Sequence, residues 1–150
     1  MGLQNEVMAR LKDAMKAKDT VALESLRAIK SAILLEQTQA GGQSELTPEA
    51  EIKLLQKLVK QRRDSATIFK EQGRDDLAGP EEAQIEVISQ FLPQQLSQEE
   101  VAAVIVHVIQ DIGASSMKDM GRVMGMVTKQ LAGQADGKTI STLVKQKLNA

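Results

Sequence analysis

The sequence predicts an all-α protein built as two helical domains, a four-helix N-terminal domain over residues 1-93 and a three-helix C-terminal domain over residues 94-150. Three observations predict it. Leu, Ala, Met, Glu, Gln and Lys dominate, residues that lose little rotamer freedom in a helix, while aromatic residues make up only 1% and no run alternates apolar with polar as a strand does. Apolar residues recur three and four apart through most of the chain, the period of a helix with one buried face. Helix-start and helix-stop residues punctuate those runs.

Leu3, Val7, Met8, Leu11 and Met15 give a first helix of about four turns. Asp19 or Thr20 caps the second, whose stripe holds Leu23, Leu26, Ile29, Ile33 and Leu34 and which Gly41-Gly42 ends. Thr47-Pro48 opens the third helix with a capping hydroxyl and a proline in the first helical position. Its stripe runs through Ile52, Leu55, Leu58, Val59, Ala66 and Phe69 to a stop at Gly73. Asp75 caps the fourth segment, in which Gly79-Pro80 should kink or restart the helix before it continues through Ile85, Val87 and Ile88 to Phe91-Leu92. Pro93 breaks it, and the polar stretch Pro93-Gln94-Gln95-Leu96 marks the domain boundary.

The fifth helix has the clearest start in the sequence. Ser97 and Glu100 form a capping box, with Leu96 and Val101 as the hydrophobic staple around it. Val104, Ile105, Val108, Ile109 and Ile112 carry its stripe to Gly113. Ser116 and Asp119 resemble a second, acidic box ahead of a helix bearing Met120, Val123, Met124, Val127 and Leu131, which stops before Gly133. A last helix from Asp136-Gly137 places Ile140, Leu143, Val144 and Leu148 on one face.

Bulk composition narrows the function classes. Nineteen Lys and Arg against twenty Asp and Glu argue against nucleic-acid binding over the whole surface, though not against a local basic patch. Without cysteine there is no disulfide, thiolate nucleophile or zinc-thiolate site. The longest apolar run, Val101 to Ile109, is interrupted by His107 and falls far short of the roughly 20 residues that span a bilayer. Glu6 and Asp13 make the N-terminus unlike a signal peptide, and Glu6 stands where a myristoylation motif wants Ser or Thr. A cytoplasmic protein with no membrane partner is the expectation.

No grouping of reactive side chains is visible. His107 points well off the apolar stripe of its helix at 100° per residue, and no carboxylate or nucleophile partner for it is evident. Asp75-Asp76 and Glu81-Glu82 sit in first helical turns, where carboxylates complement the helix dipole. GxxxxGK[ST], GxGxxG after a strand, and GxSxG are all missing. The expectation is therefore no catalytic residue, no metal and no cofactor.

Two features stand out instead. Arg62 falls inside the apolar stripe between Leu58 and Ala66, so it must pair or snorkel. Either it makes an ion pair with Glu82 or Glu86 on the fourth segment, or it serves as an anion site. Gly121 and Gly125 lie one turn apart inside a strongly amphipathic helix, each at a cost of up to about 1 kcal/mol against Ala. Close approach of another helix, or of a ligand backbone, would explain them. From Gly113 to Ala150 six basic residues stand against two acidic ones, an excess of four positive charges that leaves the rest of the chain about five negative. Such asymmetry permits a phosphate-binding tail, with a solvated face as the plainer alternative.

The stretches LRAIKSAI (Leu26 to Ile33), VKQRRDS (Val59 to Ser65), GRDDLA (Gly73 to Ala78), FLPQQLS (Phe91 to Ser97) and KDMGRVMG (Lys118 to Gly125) resemble the YqeY family. A weaker match is ADGKTISTLVKQKL, from Ala135 to Leu148. The C-terminal part of that family is similar to the tail of the B subunit of glutamyl/aspartyl-tRNA amidotransferase. The resemblance implies an all-α, two-domain fold with a hinge near Pro93 and, by way of the amidotransferase tail, which grips tRNA, a non-catalytic module that binds tRNA or other RNA. In this sequence Lys118, Arg122, Lys129 and Lys138 would contact phosphates, with Gly121 and Gly125 letting the backbone come close. A second reading is a helical adaptor for a translation-related protein partner, motivated by near-neutral charge and seven methionines. A third, implied only by family labels, is a carbon–nitrogen ligase activity with glutamine as amido-N-donor.

Overall fold

The computed structural model describes residues 2–39 and 45–149. Among these residues there are seven α-helices, one short 3-10 turn and no strand. The chain divides into two compact units, Met1–Leu92 and Pro93–Ala150, and each has its own aliphatic core.

The first unit contains α1 (Leu3–Ala17), α2 (Thr20–Gln39), α3 (Pro48–Glu71) and α4 (Asp75–Ser89). α4 packs on both α2 and α3, and α1 packs on α2. Val7, Leu26, Ile29, Ile33, Leu55, Val59 and Ile88 fill the space between them. Asp19 caps α2, its carboxylate accepting from Ala22 N at 3.1 Å, and Thr47 caps α3, accepting from Ala50 N at 3.1 Å. The expected glycine stop of α2, Gly41-Gly42, lies outside the described residues.

Three expectations are corrected here. Met15 and Leu34 are 57% and 47% exposed, because the buried line of α1 runs through Leu3, Val7 and Ala14, and that of α2 through Leu26, Ile29 and Ile33. The restart expected at Pro80 does not occur: α4 runs from Asp75 to Ser89 with Pro80 inside it. Pro80 stands in the second turn, so only the bond that its missing N–H would make to Asp76 is lost, and the burial of Ala78 and Ile88 outweighs that. Asp75 is the first helical residue of α4, with Arg74 in the capping position and no side-chain cap.

The second unit contains α5 (Gln98–Ile112), the 3-10 turn Met117–Asp119, α6 (Met120–Leu131) and α7 (Gly137–Leu148). Val101, Ile105, Val108, Val123, Val127, Leu131, Ile140, Val144 and Leu148 are buried together. Ser97 and Glu100 form the reciprocal box, each side chain accepting from the other's backbone N–H at 3.1 Å. That contact holds the Glu100 carboxyl below its usual range, chiefly through the Ser97 N–H. Leu96 N donates to Gln134 O and Gln95 Nε2 to Gly133 O, both at 2.9 Å, which ties the start of α5 to the loop between α6 and α7. α5 closes at Gly113, whose φ of 67° is the left-handed conformation that glycine adopts without a steric penalty.

The second acidic box is not formed. Ser116 caps the 3-10 turn, accepting from Lys118 N at 3.3 Å, and the Asp119 carboxylate turns back to accept from Ser115 N at 3.1 Å. The 3-10 turn places Lys118 N, two residues on, rather than Asp119 N, three residues on, against the Ser116 hydroxyl. α6 ends at Leu131, the last residue of its expected stripe and ahead of Gly133. Ala132 takes the left-handed position, with φ 46°, and Gly133 follows at φ 89°.

Candidate nucleic-acid interface

The buried line of α6, Val123, Val127 and Leu131, fixes what its opposite side presents. At 100° per residue that outer side carries Gly121, Arg122, Gly125 and Lys129. All four are exposed. A Cβ built on Gly121 or Gly125 meets nothing within 4 Å, so neither glycine is there to let another helix of this unit approach. The helix-packing explanation is therefore set aside within the unit. The backbone of α6 is bare toward solvent at these two positions.

Sequence reasoning missed how far the bare strip extends. Thr128 and Ala132 are also exposed, and with Gly121 and Gly125 they follow at three- and four-residue spacing along the same side. The signal was present as a series of small residues and was read only at its glycines. Met126, 44% exposed, borders Arg122 and Lys129, and Met117, 40% exposed, stands in the preceding turn.

The basic residues fall into distinct settings. Lys118 is exposed in the 3-10 turn ahead of α6, and Lys129 is exposed in the last turn of α6. Lys138 is exposed in the first turn of α7, a separate helix. Arg122 is partly committed: its Nη2 donates to Ile112 O at 2.9 Å, satisfying a carbonyl at the C-terminus of α5. It thus anchors α6 to α5 while its guanidinium stays at the surface.

Arg62 lies elsewhere, half-buried in the first unit. Its Nε donates to Gln84 Oε1 at 2.8 Å and its Nη1 to Leu58 O at 3.1 Å. Gln84 Nε2 in turn donates to Glu24 Oε2 at 3.1 Å, so a chain of side chains links α3, α4 and α2. The expected pairing with Glu82 or Glu86 is corrected to Gln84, which lies between them in sequence. Glu82 instead pairs with Lys70. His107 is 68% exposed, as expected, but it does have a carboxylate partner, Asp111 at 3.2 Å one turn on.

Among the described residues no three of His, Cys, Asp and Glu gather where they could hold a metal ion. No single helix among them is long and apolar enough to cross a membrane. α5 and the segment 117–131 pass that test only as a pair, bent by 100°, and their apolar residues form the core of the second unit.

The sequence model of the Yqey-like protein family matches residues 4–148. The chain belongs to that family. It is also 34% identical over 131 residues to "Altered inheritance of mitochondria protein 41, mitochondrial" of Clavispora lusitaniae, covering 86% of this chain and 74% of the relative. The protein of the same name from Pyrenophora tritici-repentis is 26% identical over 147 residues, covering 96% of this chain and 80% of the relative. Both relatives are mitochondrial by name, a compartment the sequence expectations did not include. A 73-residue match at 40% identity joins this chain to one component of the Glutamyl-tRNA(Gln) amidotransferase of Thermococcus gammatolerans. That match covers 46% of this Yqey-like chain but only 12% of the archaeal relative.

Proposed function

We propose that this Yqey-like protein is a non-catalytic, RNA-binding accessory module of two helical domains, 1-93 and 94-150, which takes tRNA or another structured RNA on the outer side of α6. The observation that carries the reading is the exposed side of α6, where Gly121 and Gly125 leave the backbone bare beside an edge formed by Arg122 and Lys129. An RNA duplex presents a shallow minor groove rimmed by phosphates and 2′-hydroxyls, and proteins read it by shape and backbone contacts rather than by base edges. A flat helix side with cations along one edge suits that target, and it needs no aromatic residue. Lys118 before the helix and Lys138 after it would extend the cationic border. The likeness to a protein named for a tRNA-dependent amidotransferase favours tRNA among structured RNAs.

Anisotropy with labelled bulk tRNA, titrated over salt, tests the proposal. Four phosphate contacts give a log–log salt slope of about −3 to −4, and replacing Lys129 with Ala lowers that slope by about one. Absence of binding at low salt, or a flat response to salt, would overturn it.

A further inference from the structure

The first unit holds a feature that RNA binding at α6 does not use. α2 and α3 leave between them an open groove of about 670 Å³. Its apolar floor comes from Ala32 and Leu35 of α2 and from Ala50, Leu54 and Leu58 of α3. Four of these are half-buried, while Leu35 is 60% exposed, a large aliphatic side chain standing in solvent at the wall of a cleft. The α3 contributions fall at i, i+4 and i+8 and the α2 contributions at i and i+3, the ridge spacings with which a third helix interdigitates.

The rim is charged, and its charges are sorted along the groove. Glu36 and Glu49 stand at the end where α2 closes and α3 opens, and Lys53 and Lys57 follow one and two turns further along α3. All four are exposed, and none is ion-paired within the described residues. A polyanion such as RNA would meet Glu36 and Glu49, and a lipid headgroup layer offers no matching apolar ridge. An occupant carrying an apolar stripe, a basic end and an acidic end satisfies both floor and rim.

We infer that the α2–α3 groove docks a short amphipathic helix of a partner protein, its apolar i, i+3/i+4, i+7 stripe on Leu35, Leu54 and Leu58, its basic end at Glu36 and Glu49, and its acidic end at Lys53 and Lys57. Ala50 and Leu58 lie eight helical steps apart on α3, about 12 Å, so a partner helix of roughly three turns covers the floor.

The test is an NMR titration of the full-length 15N-labelled chain with a synthetic helix of about 14 residues, ~21 Å long. The peptide carries a Leu stripe, Lys in its first turn and Glu in its last. The expected result is amide shifts confined to the neighbourhood of Ala32, Leu35, Ala50, Leu54 and Leu58. Leu35→Glu, at an exposed position that leaves the core untouched, weakens binding by about tenfold or more. Lys53→Glu with Lys57→Glu transfers the preference to a peptide with Lys at both ends. The inference is overturned by any of several results: no shifts at millimolar peptide, shifts centred elsewhere, or equal affinity for a peptide with Gln in place of the Leu stripe. Concentration-dependent self-association of the chain alone, abolished by Leu35→Glu, would likewise overturn it by making a second copy the occupant.

Discussion

In the Met1–Leu92 unit, polar side chains tie helices together across long stretches of chain; in the Pro93–Ala150 unit, most polar ties are local. Arg62 with Gln84, Gln84 with Glu24, and Leu3 N with Glu51 join residues 22, 60 and 48 apart, and Arg10 joins Gln90 while lying over the Phe91 ring. The second unit relies on Ser97 with Glu100, Ser115 with Asp119, Asp136 with Thr139 and Arg122 with Ile112, all ten or fewer residues apart. Gln95 and Leu96, bonded to the loop after α6, reach further. Three helices around a purely aliphatic core need only caps and packing, whereas four helices, one with an arginine in its stripe, need directional bonds to set their mutual register.

The largest test of this contrast is core truncation. Ile29 and Ile105 are both 0% exposed, one in each core. Replacing either with Ala should cost about 2–5 kcal/mol, from lost transfer energy and the cavity left behind. If the units fold as separate domains, calorimetry shows two transitions, and each variant lowers only one of them. A single transition shifted equally by both variants would break the division into domains.

A smaller effect separates the two kinds of polar tie. Arg62→Ala removes a guanidinium bonded to Gln84 and Leu58 O, together with the packing of its stem, and should cost about 1–2 kcal/mol in urea unfolding. Ser97→Ala removes one cap and should cost about 1 kcal/mol. The capping box also predicts a pH response. Because the Glu100 carboxyl is held below its unfolded value, its stabilisation is complete above the unfolded pKa and disappears as pH falls through the lowered folded value. Glu100→Gln should remove that part of the acid sensitivity of the second unit. An unchanged acid limb in the variant would show that the box does not contribute.

These contacts also mark what could be read in the sequence. Helix existence was legible because it depends on neighbours: Thr47 and Ser97 cap where their residue type and position indicated, Asp19 is the one of the two candidates for α2 that caps it, and the last helix starts at Asp136-Gly137 as expected. The core of the second unit was legible too, since every buried residue from Val101 to Leu131 lies on a regular stripe. The partner of Arg62 was not, because a periodic pattern shows that an arginine must find a partner without showing which rotation of α4 faces it. The restart expected at Pro80 does not occur, because local chemistry argues for one while the packing of α4 on α2 and α3 is a tertiary term. On the proposed interface, the residue types were legible and the openness around Gly121 and Gly125 was not. Distinguishing a glycine beneath a neighbouring helix from one facing solvent requires knowing what lies opposite.

That openness gives the smallest predicted change in stability and the sharpest test of what the glycines do. Gly121 and Gly125 have helical backbones and free space where a methyl group would go. Gly121→Ala and Gly125→Ala should each stabilise the second unit by about 0.5–1 kcal/mol, since alanine loses less conformational freedom on entering a helix. Gly113→Ala should do the opposite, because its φ of 67° forces a Cβ into the left-handed region. If an RNA backbone sits against the bare strip, the doubly substituted, more stable protein binds tRNA more weakly. Its salt slope stays unchanged, because Lys118, Arg122, Lys129 and Lys138 are all retained. Shape and charge are thereby separated in one variant. Unchanged affinity in the stabilised protein would show that the strip is not approached, and would leave the cations along its edge with a solvating role alone.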